Sequence, residues 1–134
     1  LSLIEEKEIS KEIMLPVSIF EANGLSALES ICRYLKDNLG IDYSKIALLL
    51  NRNSRTIWTT YNNSLIKRKE KFLAKESEFF IPVSVFRNRK LSVLENIVSY
   101  LKDKFDLRYS EISVLLNRDE RNIWTAYNKA KKKK

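Results

Sequence analysis

The sequence predicts an all-α protein built from two tandem three-helix units, and three observations carry the prediction. The chain repeats itself at an offset of 66 residues: 27 of the 56 pairs formed by residues 13–68 and 79–134 are identical, so the halves are two copies of one small module. Apolar residues recur at three- and four-residue spacing behind the same capping signature in both copies. Two glycines in 134 residues are too few for the turns on which β-hairpins depend. The chain divides accordingly into a 1–12 N-terminal arm, a first unit over 13–68, a 69–78 connector, and a second unit over 79–134 that ends in a basic tail.

Each unit opens on an apolar segment behind a proline, Pro16-Val17-Ser18-Ile19-Phe20 and Pro82-Val83-Ser84-Val85-Phe86. This segment is either a short helix with proline at its first position or an extended arm. The loop after it diverges, Glu21-Ala22-Asn23-Gly24 against Arg87-Asn88-Arg89-Lys90. Ser26 and Ser92 each stand three residues before a glutamate, Glu29 and Glu95, the capping box that starts a helix. Leu28, Ile31, Cys32 and Leu35 in one copy, and Leu94, Ile97, Val98 and Leu101 in the other, supply its apolar face. It should end near Gly40 and Asp106.

A short second helix is expected over about Tyr43–Leu50 and Tyr109–Leu116. Asn51 and Asn117 follow, the non-glycine residue best suited to the left-handed conformation that stops a helix. Asn53 and Asp119 then cap a third helix beginning near Ser54 and Glu120. On that helix Ile57, Tyr61 and Ser64, like Ile123, Tyr127 and Ala130, share the face toward the core. The connector breaks the repeat: Leu65 and Ile66 are replaced by Lys131 and Lys132. With Phe72 and Leu73 they make an apolar stripe if the third helix runs on past Arg68, so a helical connector, docked on the second unit or on another chain, is expected.

A short helix, a three-residue break and another helix make a helix-turn-helix. The stretch Tyr43-Ser44-Lys45-Ile46-Ala47-Leu48-Leu49-Leu50-Asn51-Arg52-Asn53-Ser54-Arg55-Thr56-Ile57-Trp58, and equally residues 109–124, resembles the C-terminal promoter-reading (region 4-like) domain of bacterial sigma factors and related regulators. Ala47 and Ser113 fill that superfamily's small-residue position, where the helices cross closely. Asn51 and Asn117 stand where a glycine commonly makes the turn, and Arg52 and Arg118 replace the hydrophobic residue that usually follows. The resemblance covers the second and third helices of each unit and, more loosely, the first. It implies a third helix that enters the DNA major groove.

The chemistry of that helix points the same way. A major groove ~12 Å wide accepts one helix, and arginine, asparagine and the threonine methyl match guanine, adenine and thymine edges. Arg55, Thr59 and Asn62 place these groups on one stripe, and Arg121, Thr125 and Asn128 repeat it without change. Other exposed positions drift between the copies, as at Glu21/Arg87, Asp42/Arg108 and Asn63/Lys129. Both stripes are therefore candidate base contacts to similar half-sites; chance retention after a recent duplication is the competing explanation. Candidate backbone contacts are Arg52 and Arg118 in the turns, Ser54 at a helix start, Trp58 and Trp124 on the helix flanks, and Lys131, Lys132 and Lys133 in the tail. Plainer roles exist for each: a helix-capping arginine, a tryptophan packed at the core edge, a solvated tail.

Net charge is +8, with +3 in 13–68 and +7 in 79–134, which favours a polyanionic partner, nucleic acid ahead of a membrane surface. With no histidine and one cysteine, the chain has no disulfide of its own and no zinc site of the usual kind. Cys32 is matched by Val98 and reads as a small buried apolar residue. No acid–base or nucleophilic set emerges, so no enzyme, cofactor, metal or small-molecule substrate is expected. No apolar run spans a bilayer and no secretory signal is seen. The expectation is a cytoplasmic, nucleoid-associated protein or transcription regulator that binds double-stranded DNA. A helical protein–protein interaction adaptor, with Trp58 and Trp124 as anchors, is the alternative. RNA ranks third, because a deep A-form groove excludes a helix. The chain opens on Leu1, which suits a piece of a larger parent protein; self-association and the relative orientation of the units stay open.

Overall fold

Proline decides how each repeat starts. In the computed structural model, which describes residues 13–133 except 22 and 73, Pro16 and Pro82 are extended and end two short strands, β1 (Met14–Pro16) and β2 (Phe80–Pro82). A 3-10 turn follows each strand, Val17–Phe20 and Val83–Arg87, so strand and helical turn occur in succession. The 1–12 arm and Lys134 lie outside the described residues.

Capping chemistry then sets the helices. Ser26 Oγ accepts from the Glu29 N–H at 3.2 Å and Glu29 Oε1 accepts from the Ser26 N–H at 2.7 Å, which starts α1 (Ala27–Arg33). A π-helical turn, Tyr34–Asn38, continues it before Gly40 breaks off at φ +66. The Asp42 carboxylate caps α2 (Tyr43–Leu50), which stops at left-handed Asn51, φ 56 and ψ 48. Asn53 Oδ1 accepts from the Thr56 N–H at 2.8 Å and opens α3 (Ser54–Lys67). The second repeat gives α4 (Val93–Phe105), stopped by left-handed Asp106, then α5 (Tyr109–Leu116), stopped by left-handed Asn117, then α6 (Glu120–Lys133). The chain is mostly helical, as the spacing predicts.

Within each repeat the first and second helices pack on the third. Ile31, Leu35, Ile46, Leu50 and Ile57 are fully buried, as are Ile97, Leu101, Ile112, Leu116 and Ile123. Two matched polar ties close each bundle. Lys67 Nζ meets the capping-box carboxylate of Glu29 at 2.9 Å, and Lys133 Nζ meets Glu95 at 2.7 Å. The Tyr61 hydroxyl donates to Asp37 at 2.6 Å, and Tyr127 to Asp103 at 2.7 Å. Cys32 is fully buried, and burial pushes its thiol up to about 12.

The helical connector is not formed. α3 ends at Lys67, Arg68 is extended at φ −144 and ψ 109, and no helix occurs among the described residues of 68–79. Arg33, whose guanidinium lies within the fold, holds the segment that leaves α3. It donates to the Ser64 carbonyl at 3.4 Å, to Arg68 at 2.8 Å and to Glu70 at 2.6 Å, while its Nε donates to Asp37 at 2.8 Å. These bonds tie the last turn of α3 and the segment after it to α1, along which the chain folds back. Phe72 is buried on this return path, and its N–H donates to Asp37 at 3.4 Å. Ile66 remains 79% exposed and Leu65 half-buried, so the expected apolar stripe does not exist; Leu73 lies outside the described residues.

The repeats meet about an approximate two-fold axis. β1 and β2 pair antiparallel, Met14 with Pro82, Leu15 with Ile81 and Pro16 with Phe80. Exchanging each residue for its repeat counterpart maps this register onto itself. The flanking bonds obey the same exchange: the Val17 N–H donates to Phe79 O at 2.9 Å and the Val83 N–H to Ile13 O at 3.1 Å. Counterparts Phe20 and Phe86 meet with ring centroids 5.8 Å apart. Each 3-10 turn lies between its own repeat's first helix and the other repeat's middle helix, so Val17–Phe20 packs on α5 and Val83–Arg87 packs on α2. The sequence leaves orientation open; here it is two-fold, not translational.

Candidate nucleic-acid interface

The helical period sets what α3 and α6 offer to solvent. Ile57 and Ser64, like Ile123, Ala126 and Ala130, face the core. On the far side Arg55 and Thr59 are exposed and Asn62 is half-buried; Arg121 is exposed, and Thr125 and Asn128 are half-buried. Neither set is packed inward. Asn62 Nδ2 donates to the Trp58 carbonyl at 2.8 Å, and Asn128 Nδ2 donates to Trp124 at 2.8 Å. These are exposed bonds that a better partner can replace. Trp58 and Trp124 are each 54% exposed on the flanks of their helices. Trp124 lines a shallow depression with Tyr109, Glu120, Arg121 and Thr125. Ser54 is exposed at the first turn of α3.

The turns differ from the helices. Arg52 is half-buried at the start of the α2–α3 break. Burial first, then the positive charge of Arg89, lowers its pKa from the ordinary arginine value, and no carboxylate within the described residues pairs with it. Arg118 occupies the equivalent place, and its Nε is buried with no hydrogen-bond partner among the described residues. In the tail, Lys131 Nζ sits 5.5 Å from the Tyr127 ring centroid and Lys132 is exposed. Lys133, by contrast, is held by Glu95, so its charge already serves the fold.

Arg89 belongs to the other repeat, and sequence reasoning misses it. The Val83–Arg87 turn and the loop after it are brought to the first repeat's break by the two-fold packing. Asn51 Nδ2 donates to the Arg87 carbonyl at 3.3 Å, and Arg87 Nη1 donates to the Leu48 carbonyl. The sequence signal is the gain of three cations where the first repeat has Glu21-Ala22-Asn23-Gly24. No local pattern tells which turn that loop adjoins.

Among the described residues there is no group of three or more metal-ligating side chains, and no helix is long and apolar enough to cross a membrane. Comparison with known proteins finds no matching family model, no matching curated protein and no matching solved structure.

Proposed function

We propose that this chain binds double-stranded DNA through two helix-turn-helix units, each resembling the region 4-like domain of sigma factors, and acts as a transcription regulator or nucleoid-associated protein. The observation that carries the reading is the solvent-facing Arg–Thr–Asn stripe, repeated on two helices that an approximate two-fold relates. Arg55, Thr59 and Asn62, with Arg121, Thr125 and Asn128, are the base-reading groups; Arg52, Arg118, Ser54, Trp58, Trp124, Lys131 and Lys132 take the backbone. Two-fold units read half-sites of opposite polarity, so the target is an inverted repeat, its halves about one helical turn, ~34 Å, or a multiple of it apart.

Selection of bound duplexes from a random pool tests this. The expected product is one short motif present twice in inverted orientation. Arg55→Ala and Arg121→Ala should each relax preference at one position per half and cost about 1–3 kcal/mol. Base preference unchanged by both substitutions defeats the assignment of the stripe. The half-exposed tryptophans favour a second reading, a protein-interaction adaptor with Trp58 and Trp124 as anchors. That reading gains if random duplex DNA is not retained even at low salt.

A further inference from the structure

The two third helices have unequal surroundings, and the fold brings cations of the second repeat to the first. By sequence the second unit is the more basic. Around the third helices the distribution differs. α3 starts on Asn53-Ser54-Arg55, whereas α6 starts on Asp119-Glu120-Arg121; the middle helices carry Lys45 and Glu111 at matching positions. The two-fold packing then sets the loop that starts at Arg87 beside the first repeat's break, whereas the first repeat has Glu21 where the second has Arg87.

The 87–90 loop is held in place rather than loosely draped. Its base is fastened to α2 and Asn51 through Arg87. Asn88 accepts from Asn96 Nδ2 at 3.0 Å through its carbonyl, and from the Lys90 N–H at 3.1 Å through its side chain. Arg89 and Lys90 remain exposed, and no ion pair within the described residues uses either. Arg52 is close enough to Arg89 for the two like charges to be felt. Like-charged guanidinium groups held together without a carboxylate form a concentration of positive potential that an anion relieves.

Building on the DNA-binding reading, we propose that Arg52, Arg89 and Lys90 form a composite phosphate clamp across the two repeats, beside the groove that α3 enters. The ligand is the sugar-phosphate backbone of duplex DNA flanking the groove that α3 enters. The second repeat thereby supplies the backbone contacts for bases read by the first.

The test uses the full chain and a fluorescein-labelled random-sequence duplex titrated over a range of salt concentrations. R89A/K90A is compared with the wild type and with K69A/K71A, an equal loss of charge at exposed connector positions. Each backbone phosphate contact contributes about 0.9 to the slope of log affinity against log salt, so R89A/K90A should lower that slope by up to about 1.8. K69A/K71A should leave it unchanged. R89Q/K90Q, which keeps side-chain bulk, should behave as R89A/K90A does, with an unaltered melting temperature. The loss should persist in an R121E background and largely vanish in R55E, because the loop serves the α3 site. Equal slopes for R89A/K90A and K69A/K71A, or a loss that vanishes in R121E instead, overturn the clamp while leaving DNA binding intact. A wild type that retains no duplex at low salt removes both the clamp and the reading beneath it.

Discussion

Arg33 ties the end of α3 and the segment after it to α1. It is buried with Asp37 and satisfies three carbonyls where the chain leaves α3. Arg33→Met keeps the bulk, removes the guanidinium donor from the Arg68 and Glu70 carbonyls and takes a cation from a buried carboxylate. It should lower unfolding free energy by about 2–4 kcal/mol in urea titration. Burial alone would raise the Asp37 carboxyl, but hydrogen bonds from Tyr61 and Arg33 hold it below its ordinary value. A depressed carboxylate contributes stability above its unfolded pKa of ~3.9 and loses it as pH falls through the folded value. The Arg33→Met variant, lacking one of those donors, should therefore acid-unfold at higher pH than the wild type.

The tyrosines act at the opposite end of the scale. Burial and the Asp37 bond push Tyr61 up to about 12, and the Asp103 bond, then burial, does the same for Tyr127. With an unfolded value of ~10, their contribution is whole below pH 10 and is lost as pH rises toward 12. Replacing both with phenylalanine should make the alkaline decline of thermal stability shallower, even though the variant is weaker at neutral pH. These residues also explain part of the repeat identity. Lys36, Asp37, Tyr43 and Tyr61 recur as Lys102, Asp103, Tyr109 and Tyr127 because they form one network twice, with Lys36 4.3 Å from the Tyr43 ring and Lys102 4.4 Å from Tyr109. Identity between the copies thus marks packing as well as the proposed contact surface. Arg55 and Trp58 are exposed in both copies, but so are Ser26 and Asn51 at a helix start and stop and Lys67 on its glutamate, so exposure alone does not separate the two.

At the scale of elements, boundaries follow from local chemistry. The Ser26 and Ser92 boxes, the Asn53 cap and the left-handed asparagines all sit where residue type alone puts them. Asn117 gives a clean test, since left-handed backbone costs an ordinary L-residue ~1–2 kcal/mol. Asn117→Ala should lose about 1 kcal/mol in denaturant titration, and Asn117→Gly should lose less than half of that. Ser92→Ala should cost about 1 kcal/mol by the same measurement, from the broken capping box. The connector obeys different forces. Leu65, Ile66 and Phe72 have helical spacing, but Arg33, more than thirty residues earlier, holds the Arg68 and Glu70 carbonyls of the extended segment that leaves α3. Pattern reading along the chain has no access to a hydrogen bond of that span.

For the whole molecule, the sharing of 3-10 turns means that neither repeat owns a complete core. Phe20 and Phe86 are buried against each other, and Leu15 and Ile81 are fully buried at the centre of the ribbon. The full chain should melt in one transition, with calorimetric and van't Hoff enthalpies equal. Residues 13–68 or 79–134 expressed alone should be unfolded or should self-associate, each copy taking the place of the missing repeat about the same axis. Analytical ultracentrifugation of the isolated pieces decides this, and a stable folded monomer from either one contradicts it. Small units bury too little surface alone to hold a wide margin of stability, which is the force behind the sharing.

The helices, their caps, their left-handed stops and the identity of the solvent-facing stripe were all determined by the amino-acid sequence itself, because each depends on groups within a few residues of one another. The two-fold ribbon, the folded-back connector and the placing of Arg89 and Lys90 beside Arg52 were decided only by the tertiary structure. They arise from strand pairing, one buried guanidinium and turns shared between repeats, contacts between groups dozens of residues apart that no periodicity along the chain encodes.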